Sequence, residues 1–413
     1  EELAQFVADF VAVPSVTGDE GAAAEFLEAW LLQHDFEVTR HQISPDDLER
    51  WPDCADEKDL DARPNIVATL RSPNPVMAPV VLNGHIDVVP TGDVSRWTRA
   101  PFSGERSGGR IYGRGSSDMK GGIAAGLFAV RALRDAGVVL PFDIEIQCVV
   151  AEESGGLGTL SLMRDRPMPA AAIILEPTET RIVTACGGAQ PFTVDVIGKA
   201  AHVGRPWTGV DALDKVLLVH DRLRRLEAER SDRLSHPLFD QLPRKAPLSV
   251  GRLEAGEWRL TIPDVAHWFG RIGTLPFETI SDVRAEVVAA VADLASDPWL
   301  RDNPCVVRFD GPGFAGWETD ATADVVGALA ASVSHLTGDP TPSSATYGSD
   351  AAVFAQAGVP SVLFGPGSMS EAHCKDESVD EAEVTYAAQA VAMTLAQLGD
   401  SESFRSAHER TRA

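Results

Sequence analysis

The chain has 413 residues, 44% of them apolar, with 36 Lys+Arg against 61 Asp+Glu and a formal net charge of −25. The length predicts two domains, and the acidity, with no basic stripe to offset it, excludes a nucleic-acid partner, since phosphates would be repelled. No apolar run reaches the roughly 18 residues of a membrane span, and five scattered cysteines without a CxxC pair favour a reducing cytoplasm over a disulfide framework.

Leu3, Phe6, Val7, Phe10 and Val11 recur at helical spacing, so the chain is expected to open with an amphipathic helix, and the start of the sequence reads as that of a chain whose signal peptide is absent or already removed. A second helix is predicted over Ala22–Gln33. The stretch between Ser44 and Arg63, crowded with Asp and Glu, reads as a solvated insertion. Near-continuous apolar runs at Ile66–Leu70, Val80–Leu82, Ile144–Val150 and Ala172–Leu175 predict strands covered on both faces. Between the second and third, a helix from near Asp118 would bury Ile123, Leu127, Val130 and Leu133. Strands alternating with helices predict an α/β fold around a mostly parallel sheet.

The pattern changes at Ala185. Strand Phe192–Ile197, helix Gly209–Glu229, strands Leu248–Glu254, Glu257–Ile262 and Ala266–Ile272, helix Ile280–Ser296 and strand Cys305–Phe309 follow in order. They approximate a β-α-β-β-α-β unit, a ferredoxin-like α+β insert over 187–311. Glycines at its entry (Gly187–Gly188) and exit (Gly311–Pro312–Gly313) suit a hinge. The chain then returns to the first fold through helices near Ala323–Leu336 and Ala351–Ala357, strand Ser361–Phe364 and helix Glu381–Leu398. A polar tail, Ser401–Ala413, ends it. The expected organisation is a catalytic domain of 1–186 and 312–413, interrupted by the insert.

Four of the predicted strands end in acids or histidine. Val80–Leu82 runs into Asn83–Gly84–His85–Ile86–Asp87, Ile144–Val150 into Ala151–Glu152–Glu153, and Ala172–Leu175 into Glu176–Pro177. Ser361–Phe364 runs into Gly365–Pro366–Gly367, with His373 shortly after. Ligands of open α/β sheets bind outside the carboxyl ends of strands. Each residue alone has an ordinary explanation: Asp118 caps the helix that follows it, Glu152–Glu153 is a solvated pair, and His85 and His373 are loop histidines. Together they place five residues of metal-ligand type on one rim. His85, Asp118, Glu153, Glu176 and His373 suffice for two three-ligand sites if one carboxylate bridges, and oxygen and imidazole donors suit Zn²⁺, with Co²⁺ or Mn²⁺ as alternatives. Asp87 is placed to fix the tautomer of His85, and Glu152 to face a water as general base. Cys374 reads as a bystander, because the oxygen and imidazole set is complete without it.

Segments Asn83–Pro90, Tyr112–Gly122, Ala151–Gly156, Leu175–Thr178 and Gly365–Glu377 resemble those of the acetylornithine deacetylase / succinyl-diaminopimelate desuccinylase family of zinc metallopeptidases, relatives of aminoacylase-1 and carboxypeptidase G2. The resemblance spans nearly the whole chain and includes the insert. It implies a zinc-peptidase-like catalytic domain with a lid and dimerisation domain. It assigns His85 and Glu176 to one zinc, Glu153 and His373 to the other, and Asp118 to both. It also implies a homodimer in which His202, in Gly198–Lys199–Ala200–Ala201–His202, reaches the partner's active site, and a lid arginine, Arg271, that receives a substrate carboxylate. Without the family, His202 is a surface residue and Arg271 a strand-edge salt bridge. Two positions depart from the desuccinylase pattern: Leu260 stands where that branch has Asn, and Gly187–Gly188 where it has Arg. The expected activity is a metal-dependent amidohydrolase releasing the acyl group of an N-acyl amino acid or related small amide. A metallo-dipeptidase or carboxypeptidase acting on a short peptide is the alternative, and a non-catalytic dimeric binding module a more distant one.

Overall fold

The computed structural model describes residues 1–51, 54, 60–309, 311 and 313–406. Part of the acidic stretch between Ser44 and Arg63, Pro312 of the expected hinge, and the end of the polar tail lie outside the described residues. The fold is mixed α/β, and the chain divides into two compact units. One comprises Glu1–Thr184, Glu318–Ser343 and the residues from Ser349 on, and the other Ala185–Trp317 with Ser344–Gly348.

In the first unit, six strands lie side by side in the order Glu37–His41, Asn65–Leu70, Ile144–Val149, Val80–His85, Ala171–Ile174, Ser361–Leu363. The last four run parallel, with Val80 paired to Ile144 and Ala171, and Ser361 to Ala172. The first two join antiparallel. Alternate residues face opposite sides of the sheet, as strand pleating requires. Ile66, Ala68, Leu82, Ile146 and Ile173 enter the main core with Ile123 and Leu127 of helix Gly121–Asp135 and Val391 of helix Glu381–Asp400. Val67 and Val149 meet Leu162 of helix Leu157–Asp165 on the other side.

Helix Gly121–Asp135 lies unusually close to the end of strand Ala171–Ile174. A Cβ on Gly122 would fall 1.9 Å from the Leu175 carbonyl oxygen, so only glycine permits this approach. The helix starts later than the sequence suggests, because Ser116–Lys120 form an irregular turn in which Asp118 and Met119 have non-helical dihedrals. Lys120 is fully buried there. Its ammonium donates to the carbonyls of Phe10 (3.1 Å) and Val13 (2.6 Å), at the end of helix Glu2–Val11. These two carbonyls satisfy it, while burial lowers its pKa to about 7.

The second unit holds a four-stranded antiparallel sheet in the order Leu248–Ala255, Val265–Gly273, Ala189–Ile197, Val306–Phe309. With helices Ala212–Arg233 and Ile280–Ala292 this is the ferredoxin-like arrangement. Phe192, Val194, Trp268 and Ile272 from the sheet bury against Val216, Val219 and Leu223 of the first helix and Val283 and Val287 of the second. The strand expected over Glu257–Ile262 shrinks to Thr261–Ile262, which pairs with Ala201–His202 instead. Gly256, at φ +70°, turns the chain out of the sheet, and Trp258 and Leu260 remain exposed. The helix expected from Gly209 begins at Ala212, because Asp211 caps it by accepting the Leu213 N–H at 2.9 Å.

Candidate metal centre

The four parallel strands share a direction, so their carboxyl ends deliver side chains to one edge of the first unit. Strand Val80–His85 runs further than expected and ends on His85 itself. Glu152–Glu153 follow strand Ile144–Val149, and Glu176 follows Ala171–Ile174. Beyond Ser361–Leu363 comes His373, and the turn before helix Gly121–Asp135 contributes Asp118.

Two ligand sets result, His85–Asp118–Glu176 and Asp118–Glu153–His373, and within each the donor atoms lie within 4.8 Å of one another. Asp118 belongs to both. Its Oδ1 is 3.1 Å from His85 Nε2, and its Oδ2 is 3.4 Å from His373 Nε2. His373 Nε2 is also 3.2 Å from Glu153 Oε1. Donors about 2.0–2.1 Å from a tetrahedral ion stand roughly 3.3–3.4 Å apart. The three spacings are those of coordination edges, and the hard-oxygen and imidazole donors fit a pair of divalent cations. Cys374 joins neither set and directs its thiol to the Ser370 carbonyl at 3.5 Å.

Electrostatics agree with that chemistry. Burial raises the Glu152, Glu153 and Glu176 carboxyls above the usual range; mutual repulsion adds to this, and neighbouring histidines oppose it. Burial alone would lower His85, but the bond to Asp118 and the charges of Glu152 and Glu176 outweigh it and raise the imidazole well above its usual value. Bonds to Asp118 and Glu153 raise His373 to about 10. Carboxylates this crowded and desolvated lack enough positive charge, and divalent cations between them would supply it.

Asp87 differs in detail from its expected geometry. His85 Nδ1 contacts the Asp87 main-chain oxygen at 2.8 Å, while the carboxylate stands 3.7 Å away. That carboxylate accepts the main-chain N–H groups of Glu152 and Glu153, each at 3.2 Å, and the Thr17 hydroxyl at 3.0 Å. It therefore holds the turn on which the two glutamates diverge. Among the described residues no group hydrogen-bonds the Glu152 carboxylate, which is only 7% exposed. Two non-glycine residues of this rim, Ala151 and His373, sit at φ near +60°, a conformation that costs about 1–3 kcal/mol and concentrates at functional sites.

Some groups behind the rim were given no role by the sequence. The Glu377 carboxylate accepts three main-chain N–H groups and a guanidinium around Asp118. The His85 N–H points to Met119 Sδ at 3.3 Å, and the Asp118–Met119 peptide is cis. Asp350, held by burial at a pKa of about 6, accepts from the Thr159 hydroxyl at 2.7 Å, which in turn accepts from Asn83.

Two predicted residues belong to the second unit. His202 is exposed on its two-residue strand, where Nδ1 accepts the Gly204 N–H at 3.0 Å. Arg271 donates to the Thr346 carbonyl at 2.6 Å, and its buried Nε has no partner. No carboxylate pairs with it among the described residues. The salt-bridge alternative is thus not realised, and the guanidinium retains unused donors.

These features define a candidate centre for a pair of divalent cations. Residues 81–397 match the model of peptidase family M20/M25/M40, and the chain belongs to that family. An N-formyl-4-amino-5-aminomethyl-2-methylpyrimidine deformylase of Halalkalibacterium halodurans is 30% identical over 342 residues, covering 78% of this chain and 79% of the relative. A probable carboxypeptidase of Emericella nidulans is 30% identical over 404 residues, covering 92% and 85%. Among solved structures, the YXEP protein of Bacillus subtilis, described as a dinuclear metal-binding peptidase of the M20 family, superposes with a TM-score of 0.63 at 15% identity, covering 97% and 98%. The protein is therefore a hydrolase acting on amide or peptide bonds. Among the described residues no helix is long and apolar enough to cross a membrane.

Proposed function

We propose that this hydrolase binds two divalent ions, zinc by preference, and releases the acyl group of an N-acyl amino acid or related small amide. The observation that carries the reading is the split of Asp118, one oxygen toward His85 and the other toward His373. When bound, the cations would polarise the amide carbonyl and acidify a water. Glu152 would receive that water's proton on a carboxylate oxygen, which its burial and raised pKa suit, and would then pass it to the leaving amine. Asp87 would keep Glu152 on this task and Glu153 on metal binding, through the two N–H groups it accepts. Arg271 would take the substrate's free carboxylate on its unused donors, and His202, from a partner protomer in a homodimer, would stabilise the oxyanion.

A deformylase among the relatives supports acyl release, and a probable carboxypeptidase supports the second reading, cleavage of a peptide bond next to a free carboxylate. The departures at Leu260 and Gly187–Gly188 speak against a succinyl substrate. Cysteine number and spacing support a cytoplasmic location. Metal analysis with a hydrolysis screen of N-acetyl, N-succinyl, N-formyl and dipeptide substrates tests the reading. About two ions per chain, with activity lost on chelation, are expected; full activity in chelator with trace metal would refute it.

A further inference from the structure

Behind the ligand sets lies an ion pair that the hydrolytic chemistry does not itself require. Glu377 is 1% exposed and Arg114 3%. Glu377 Oε1 accepts the main-chain N–H of Ser117 at 2.9 Å and of Asp118 at 3.0 Å. Oε2 accepts Arg114 Nη1 at 2.7 Å and the Gly115 N–H at 3.1 Å. The same Nη1 reaches the Cys374 carbonyl at 3.0 Å, and the Arg114 guanidinium lies over the Trp97 ring, 5.2 Å from its centre. One carboxylate thus gathers the turn that carries Asp118, and its partner cation grips the residue after His373. Asp376 anchors the same loop by accepting the Thr98 N–H at 2.7 Å.

We propose that Arg114 and Glu377 are positioning residues that set the metal affinity of the Asp118–Glu153–His373 position. His85 and Glu176 stand at the ends of paired strands, whereas His373 rides on a loop at positive φ, with its side chain 51% exposed. Its placement against Asp118 depends on contacts across the gap between the two segments, and Arg114–Glu377 makes the buried, charged ones. Buried charge-assisted bonds to main-chain donors fix backbone geometry tightly, and partners behind metal ligands typically change affinity by about 10–100-fold. Glutamine cannot replace Glu377: in either orientation its amide NH₂ would face N–H donors.

This inference rests on the two-metal reading, and the test separates the two. Metal-free full-length protein is titrated with Zn²⁺ against a chromophoric chelator and with Co²⁺ by visible absorption, for wild type, Glu377→Gln and Arg114→Gln. The Glu153→Gln background isolates the His85–Asp118–Glu176 position. The Glu377→Gln change should weaken the Asp118–Glu153–His373 position by about 10–100-fold and the other clearly less. Arg114→Gln, which leaves Glu377 its three main-chain donors, should show the same preference to a smaller degree and decides the matter if Glu377→Gln does not fold. Unchanged affinities, or equal weakening at both positions as a general loss of stability would give, would overturn the proposal. Wild-type protein binding fewer than two ions would overturn the two-metal reading itself.

Discussion

Replacing Glu152 with glutamine should lower activity and raise the stability of the metal-free protein at once. The carboxylate is buried, accepts no hydrogen bond among the described residues and lies outside both ligand sets, so an isosteric amide should leave about two metals bound. Loss of a positioned proton acceptor costs about 10²–10⁴ in turnover, or about 2.7–5.5 kcal/mol of barrier. In the metal-free protein, however, burial and the charges of Glu176, Asp350 and Glu153 disfavour the ionised form. A neutral side chain removes that unfavourable charge, so the melting temperature at pH 8 should rise. The assays are steady-state kinetics on the best substrate, metal analysis and calorimetry of chelated protein. A turnover loss below about tenfold, or loss of a metal, would refute the assignment of Glu152 as base. Glu153→Gln is the control: it should deplete the Asp118–Glu153–His373 position.

Arg271→Ala should raise KM for substrates bearing a free α-carboxylate while barely affecting their amide analogues; equal loss on both would make Arg271 structural. Mixed dimers of His202→Ala and Glu152→Ala protein should recover activity from two inactive parents, since one of the two sites then has both groups; persistent inactivity despite verified heterodimers would refute a shared site. Metal-free protein should lose stability as pH rises. Glu152, Glu153 and Glu176 have raised carboxyl pKa values, and His85 and His373 raised imidazole values, so through these five groups the folded state binds more protons than the unfolded state above about pH 5, an effect that Lys120, lowered to about 7, opposes only above pH 7. Melting curves across that range check the sign, and added zinc should reverse the trend; stability rising with pH would contradict it.

The elements of the rim were legible because strand ends announce themselves: apolar runs stop at His85, Glu152 and Glu176, and parallel strands must end on one side. The insert was legible from its alternation of β and α patterns. What stayed hidden depends on pairing between distant segments. Nothing local to Asp87 says that its carboxylate turns from His85 to the N–H groups of Glu152 and Glu153. Nothing local to Glu377 reveals its donors at residues 114–118. Ser344–Gly348 cluster with the second unit although the surrounding sequence reads as the first fold; short polar segments carry no period by which to assign them.

The order of ligands along the chain also bears on how the centre assembles. His85, Asp118 and Glu176 all precede the second unit, whereas His373 follows it, so the two sets close over chain lengths that differ by the whole insert. Loop-closure entropy grows slowly with length, about 0.6 kcal/mol per doubling, but long-range closure slows folding far more than it weakens the product. During synthesis His85, Asp118 and Glu176 all emerge before the second unit, but the turn of Asp118 is held by Glu377, which emerges after it. The Asp118–Glu153–His373 set must wait until strand Ser361–Leu363 takes its place beside Ala171–Ile174. Neither candidate set is therefore complete, in its ligands or in the contacts that hold them, until the chain beyond the second unit has been made.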